Sequence, residues 1–196
     1  MRGNPHRPPG PRRRWFQMPY RFNLAAPLAI SATSLSTKFG SMTDTTDSLR
    51  ASTILIVDDE PANVSLLERI LKREGFTALI STTEPREALR LFREHPVDLV
   101  LLDLMMPDLD GFALLETFAR LIPDNSYLPI LVLTADATLP TRRRALSLGA
   151  KDFLTKPFDA IEAVLRIFNL LETRMLTLEL ARHGLATPRS ERPRID

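Results

Sequence analysis

The chain has 196 residues, which at roughly 150 residues per domain is one domain with material left over. Its 26 basic and 24 acidic residues leave a net charge of +2, and 44% of residues are hydrophobic, an ordinary soluble composition. No cysteine is present, which excludes a disulfide scaffold, thiolate metal ligation and a cysteine nucleophile. No apolar run approaches the roughly 18 residues of a membrane span.

The near-neutral total hides an asymmetry. Residues 1–41 carry seven basic residues and no acid, whereas residues 42–180 carry 15 basic against 22 acidic, so the two segments are +7 and −7. Six of the 16 prolines fall in residues 1–27, in runs such as Pro8-Pro9-Gly10-Pro11 that sustain neither helix nor sheet. This predicts a disordered basic leader over residues 1–50. Pro27 breaks what would be an export signal's apolar core, and Met42 is an alternative start of translation.

From Thr53 onward, short apolar runs alternate with amphipathic stretches. Thr53–Val57 is a β-branched run suited to a strand covered on both faces, and it stops at Asp58-Asp59-Glu60-Pro61. Pro61 suits a first helical turn; Val64, Leu67, Ile70 and Leu71 follow at helical spacing until Gly75. The pattern recurs as a strand over 77–81 and a helix over 85–94, then 98–102 and 112–121, then 130–133 and 140–148. A fifth strand over 152–154 precedes a helix starting near Asp159. Five such alternations predict an α/β class, a doubly wound five-stranded parallel sheet with helices on both faces.

In such a sheet the functional crevice lies beyond the carboxyl ends of the strands. Asp58 and Asp59 follow the first strand, Asp103 the third, Thr134 the fourth and Lys156 the fifth. Three clustered carboxylates repel one another, and unless something neutralises them at least one takes up a proton. A hard divalent cation solves this, and oxygen ligands combined with phosphate favour Mg²⁺ over Ca²⁺. A carboxylate beside that metal can act as a nucleophile toward phosphorus while a cation and a hydroxyl hold the equatorial oxygens.

Four motifs then resemble the receiver domain of a two-component response regulator, of the stand-alone, chemotaxis-regulator-like kind. They are Ile56-Val57-Asp58-Asp59-Glu60, the run from Asp103 through Met105, Met106, Pro107, Asp108, Leu109 and Asp110 to Gly111, Thr134-Ala135, and Gly149 to Phe158. The resemblance covers about residues 52–172. It implies a flavodoxin-like strand order 2-1-3-4-5. It also implies Asp103 as phosphoacceptor, Asp59 as direct metal ligand, Asp58 acting through water and the Met105 backbone carbonyl as third protein ligand for Mg²⁺. Lys156 would pair with the acceptor and then the phosphoryl group, Thr134 would bond that group, and Phe153 would be the switch aromatic. A sensor histidine kinase or phosphotransfer protein would be the donor, the location cytoplasmic, the downstream target an unidentified protein, and the only catalysis the domain's own phosphorylation.

Each feature has a plainer reading. Asp58-Asp59 alone could cap a helix. Arg142-Arg143-Arg144 reads as a solvated face, and the leader arginines as a solvated tail rather than a nucleic-acid contact. His6, His95 and His183 lack metal-ligand spacing. The last helix is extended: Ile161, Val164, Phe168, Leu171, Met175 and Leu178 advance by three and four, a seam whose first half must pack on the sheet and whose second half could pair with a second copy. This divides the chain into a leader (1–50), a receiver domain (51–172) and a helix extension with a disordered tail (173–196), with a homodimer through the last two helices. A phosphorylation-independent dimeric adaptor is the alternative function.

Overall fold

The computed structural model describes residues 42–107 and 110–185. The basic leader up to residue 41, Asp108 and Leu109 of the acceptor motif, and the tail from residue 186 lie outside the described residues. The elements run α1 (Met42–Arg50), β1 (Ile54–Val57), α2 (Pro61–Arg73), β2 (Leu79–Thr82), α3 (Pro85–Glu94), β3 (Leu99–Asp103), α4 (Gly111–Leu121), β4 (Ile130–Thr134), α5 (Leu139–Leu148), β5 (Asp152–Thr155) and α6 (Ala160–Arg182).

The strands form one parallel sheet in the order β2-β1-β3-β4-β5. Alternation along each central strand splits the core into two layers, as a strand covered on both faces requires. Ile54, Ile56, Leu99, Leu101, Leu131 and Leu133 pack with Leu49 of α1, Val64, Leu67 and Leu71 of α2, and Ile167 and Leu171 of α6. Their alternates Leu55, Val57, Val100, Leu102, Ile130 and Val132 pack with Ala88 of α3, Leu114, Leu115 and Phe118 of α4, and Ala145 of α5. This is the predicted doubly wound arrangement.

Helix boundaries follow local chemistry. Pro61 opens α2 behind Glu60, whose carboxylate accepts from the Ala62 N–H, and α2 gives way to Gly75 at φ 93°, a left-handed conformation natural to glycine. The Asp159 carboxylate accepts from the N–H groups of Ile161 and Glu162 and so caps α6. Asp110 does the same for α4 through the Phe112 N–H.

Three features depart from expectation. First, residues 42–50, read from the sequence as the end of the leader, form α1. Leu49 joins the core, and the Arg50 guanidinium donates to the Glu74 carbonyl at 2.8 Å. The seven polar residues around Leu49 and Met42 hid a helix that only tertiary contact supports. Second, β2 begins at Leu79 rather than Thr77, because the Thr77 N–H donates to the Arg50 carbonyl at the end of α1. Third, the face of α6 on the sheet is Ala163, Ile167, Leu170 and Leu171, not the seam through Ile161 and Val164; Ile161 faces solvent. An α-helix of 3.6 residues per turn drifts away from a 3.5-residue seam, and the sheet selects the helix's own period. Of the predicted seam, Leu171 is buried, while Phe168 and Met175 flank the same cluster, with Phe168 tilted against Phe76 at 5.2 Å between ring centroids.

One glycine is required by close approach. A Cβ on Gly111 would lie 2.5 Å from Leu104 Cα and 2.6 Å from its carbonyl oxygen, so the backbone after β3 runs directly against the start of α4. Gly111→Ala is therefore expected to destabilise the fold by about 1–3 kcal/mol through overpacking against main chain that cannot rotate away, read as a lower urea midpoint with an unchanged m-value.

Candidate functional site

The strand order places the ends of β1, β3, β4 and β5 side by side. Each delivers one polar group at the point where its apolar run stops. Asp58 follows β1, Asp103 ends β3, Thr134 ends β4 and Lys156 follows β5; all but Lys156 are fully or almost fully buried. The sheet ladder continues one step beyond β5, with the Lys156 N–H donating to the Thr134 carbonyl at 2.8 Å, and this aims the lysine across the edge.

The Lys156 ammonium is the hub. It donates to Asp58 Oδ2 at 2.7 Å and to Asp103 Oδ2 at 2.6 Å. Burial alone would lower its pKa, but the hydrogen bonds to Asp103 and Asp58 outweigh this and hold it above the ordinary lysine value. The remaining carboxylate oxygens are used as well. Asp103 Oδ1 accepts from the Met105 N–H at 3.0 Å, and Asp58 Oδ1 accepts from the Glu60 N–H at 3.1 Å and from Asn63 Nδ2 at 2.9 Å. Both buried carboxylates are thus oriented from two sides.

Asp59 completes the cluster: carboxylate oxygens of Asp58, Asp59 and Asp103 all lie within 4.8 Å of one another. Its carboxyl is pushed above the ordinary aspartate value, first by burial and then by the charges of Asp103 and Asp58, with its own backbone N–H and Lys156 pulling the other way. Three carboxylates face one ammonium, leaving an excess of negative charge on hard oxygen donors. That donor set suits a small divalent cation.

Thr134 stands on the neighbouring strand end with its hydroxyl accepting from the Asp136 N–H at 3.0 Å. The Asp136 carboxylate in turn accepts from Thr141 Oγ1 and, at 2.8 Å, from the Thr138 N–H; these bonds, led by that from Thr141, hold the carboxyl below the usual aspartate range. Phe153 lies on β5, partly buried against the second core layer, with the Arg142 guanidinium 3.9 Å above its ring. The Met105 side chain, two residues past Asp103, is 57% exposed.

Sequence reasoning missed several of these partners. Asn63 carried a weak signal, since a residue in the first turn of α2 faces back toward the end of β1. Arg143 and Arg144 are exposed, as the solvated-face reading expected, but Arg142 and Arg144 also cover rings: Arg144 sits 3.9 Å over Phe112 and 3.6 Å from Asp110. No spacing rule pairs α5 with β5 and with the start of α4, so that arrangement depends on the fold.

Comparison with known proteins agrees with this geometry. Residues 54–168 match the family model described as response regulator receiver domain. The response regulator GtcR of Aneurinibacillus migulanus is 42% identical over 118 residues, covering 60% of this chain and 46% of that protein. The transcriptional regulatory protein YvrH of Bacillus subtilis is 36% identical over 116 residues, covering 59% and 47% respectively. The chain thus spans about half the length of these curated relatives. Among solved structures, a putative response regulator from Chloroflexus aurantiacus is 33% identical with a TM-score of 0.57, covering 62% of this chain and 98% of that one. A CheY-like receiver domain protein from Methanospirillum hungatei superposes with a TM-score of 0.59 at 27% identity, covering 64% and 98%. From the match across more than half its length, together with the acidic edge and its lysine, the chain belongs to the response regulator receiver domain family.

Proposed function

We propose that Asp103 accepts a phosphoryl group from a phosphohistidine of a sensor histidine kinase or phosphotransfer protein in the cytoplasm, and that the modified domain signals through a changed protein-interaction surface. The observation that carries this reading is the Lys156 ammonium bridging two buried aspartates, Asp58 and Asp103, at a strand-end edge. A carboxylate oxygen of Asp103 attacks phosphorus as the bond to the donor imidazole nitrogen breaks, and the imidazole leaves with that electron pair. The Met105 N–H and Lys156 hold the nucleophile in one orientation, so little reorganisation is needed at the moment of transfer.

Asp59 and Asp103 would hold Mg²⁺ directly, with the Met105 carbonyl as a third ligand and Asp58 through water. Bound there, the ion would offset charge on the acceptor and phosphoryl oxygens. Lys156 shifts from the carboxylate to a phosphoryl oxygen as negative charge builds there. The Thr134 hydroxyl gives up the Asp136 N–H to donate to another phosphoryl oxygen, and Phe153 follows into the vacated space, leaving its contact with Arg142. A switch from 1:99 to 99:1 between two surfaces needs about 5.5 kcal/mol of differential stabilisation. The downstream target is a protein rather than nucleic acid, and a second copy packs through the last two helices. A phosphorylation-independent adaptor is favoured by one observation, the large aliphatic side chains exposed on α6; it requires the same oligomer with and without beryllofluoride.

Incubated with Mg²⁺ and acetyl phosphate, wild type is expected to incorporate acid-stable but hydroxylamine-sensitive label and Asp103→Asn none; equal labelling of the variant places the acceptor elsewhere. Because Met105 follows the acceptor by two residues and its N–H holds the acceptor carboxylate, Met105→Asn is expected to speed loss of the phosphoryl group several-fold in a single-turnover decay, and equal decay rates refute shielding by Met105. Asn63→Ala removes a donor from a buried carboxylate and should lower folding stability by about 1–3 kcal/mol in urea titration.

A further inference from the structure

The three carboxylates at the strand-end edge are not held alike. A carboxylate offers about four lone-pair sites to donors. Asp58 fills three of them within the protein: Oδ1 accepts from the Glu60 N–H at 3.1 Å and from Asn63 Nδ2 at 2.9 Å, and Oδ2 accepts from Lys156 Nζ at 2.7 Å. Asp103 fills two, with the Met105 N–H and Lys156 Nζ. Among the described residues, the hydrogen bond acting on the Asp59 carboxyl comes from its own backbone N–H. Capacity to take a cation therefore rises from Asp58 through Asp103 to Asp59, and the Asn63 amide is what fills Asp58 furthest.

Asn63 is placed for this by its helix. Leu67 and Leu71 follow it at successive intervals of four residues and are buried in the first core layer, so Asn63 continues the core-facing line of α2 up to the end of β1. An apolar side chain is the ordinary occupant of such a line. The amide does not cap the helix either, because at the start of α2 the Glu60 carboxylate accepts from the Ala62 N–H. What the amide does meet is Asp58, a fully buried carboxylate that it reaches from the side opposite the lysine's oxygen.

We infer that Asn63 is a positioning residue for the divalent ion: it locks Asp58 onto Lys156, which fixes the ammonium beside Asp103 and leaves Asp59 and Asp103 to take the metal. This rests on the Mg²⁺ reading proposed above and adds a residue to it. Without the amide, Asp58 Oδ1 keeps a single donor, the Glu60 N–H, and the carboxylate is free to turn. Lys156 then loses one of the two fixed anions between which it is held, and Asp103 loses the orientation that the lysine gives it. Donors behind metal-binding carboxylates set how well those groups are ordered before the ion arrives, and the cost of ordering them otherwise falls on binding.

The test titrates the isotope-labelled full chain with Mg²⁺ and follows amide chemical shifts, whose dispersion also reports that each variant is folded. Asn63→Ala, and Asn63→Leu, which keeps the branching of the side chain without its amide, should each raise the Mg²⁺ dissociation constant by about tenfold. The Mg²⁺ concentration that gives half-maximal labelling by acetyl phosphate should rise in step. A role in stability alone lowers the urea midpoint but leaves the dissociation constant of the folded chain where it was. If Asp59→Asn loses Mg²⁺ binding while both Asn63 variants stay within about threefold of wild type, the role of Asn63 is overturned and the metal reading stands. If wild type binds no Mg²⁺, or Asp59→Asn binds it as tightly as wild type, the metal reading falls and this inference falls with it.

Discussion

One ammonium shared between two buried carboxylates is the constraint around which the rest of this domain is arranged. Lys156 reaches Asp58 and Asp103 from across the sheet, joining residues 98 and 53 positions apart in the chain. Taking charges out of water is costly, and removing one member of such a buried group typically costs about 3–5 kcal/mol because the others are left uncompensated. The protein therefore surrounds the cluster with directed donors: the N–H groups of Glu60 and Met105 and the Asn63 amide. Even so the charges do not balance. Asp59 adds a third carboxylate, and its raised pKa reflects burial and two negative neighbours that one lysine does not neutralise. A site left short of positive charge on hard oxygen ligands suits a divalent metal ion.

The sheet makes this possible by keeping its two jobs apart. Along β1, β3 and β4 the side chains alternate between two fully apolar layers, and polarity enters only at the last position or just after it. The apolar walls lower the dielectric around the edge and strengthen each interaction there. Gly111 belongs to the same economy of space: with no Cβ, it lets the start of α4 lie against the backbone of Leu104, the residue that follows the buried aspartate. The Thr134–Asp136 turn follows β4, and Phe153 of β5, at the margin of the second core layer, carries the Arg142 guanidinium of α5 over its ring.

Around this unit the chain adds α1 and the long α6. Leu49 and Arg50 fasten α1 to the first core layer and to the end of α2. Arg174 ties α6 to the opposite end of the sheet, donating to the Tyr127 carbonyl at 2.7 Å and to Ser126 Oγ at 3.1 Å and approaching Asp98 at 3.5 Å. With one face of α6 anchored along the sheet, Ile161, Leu165, Leu176 and Leu180 on its other face are exposed among the described residues.

Most of the fold was legible in the sequence, because its signals are local. An apolar run, a stop at a carboxylate or a lysine, a proline in a first turn and a glycine at a helix end each act within a few residues, and α3 matched its expected bounds at both ends. The same locality made Asp58, Asp59, Asp103, Thr134 and Lys156 readable as candidates, since each marks the end of a strand. What only the tertiary structure decided were the matters of rotation and long-range pairing. The face that α6 turns to the sheet differs from the expected seam by little in residue spacing but by a large angle around the helix. Asn63, Arg142 and Arg144 took partners on other elements, and α1 exists as a helix because a core is there to receive Leu49. Local chemistry sets where an element begins and ends; which way it faces is a competition among contacts distant in sequence, and only the packed molecule resolves it.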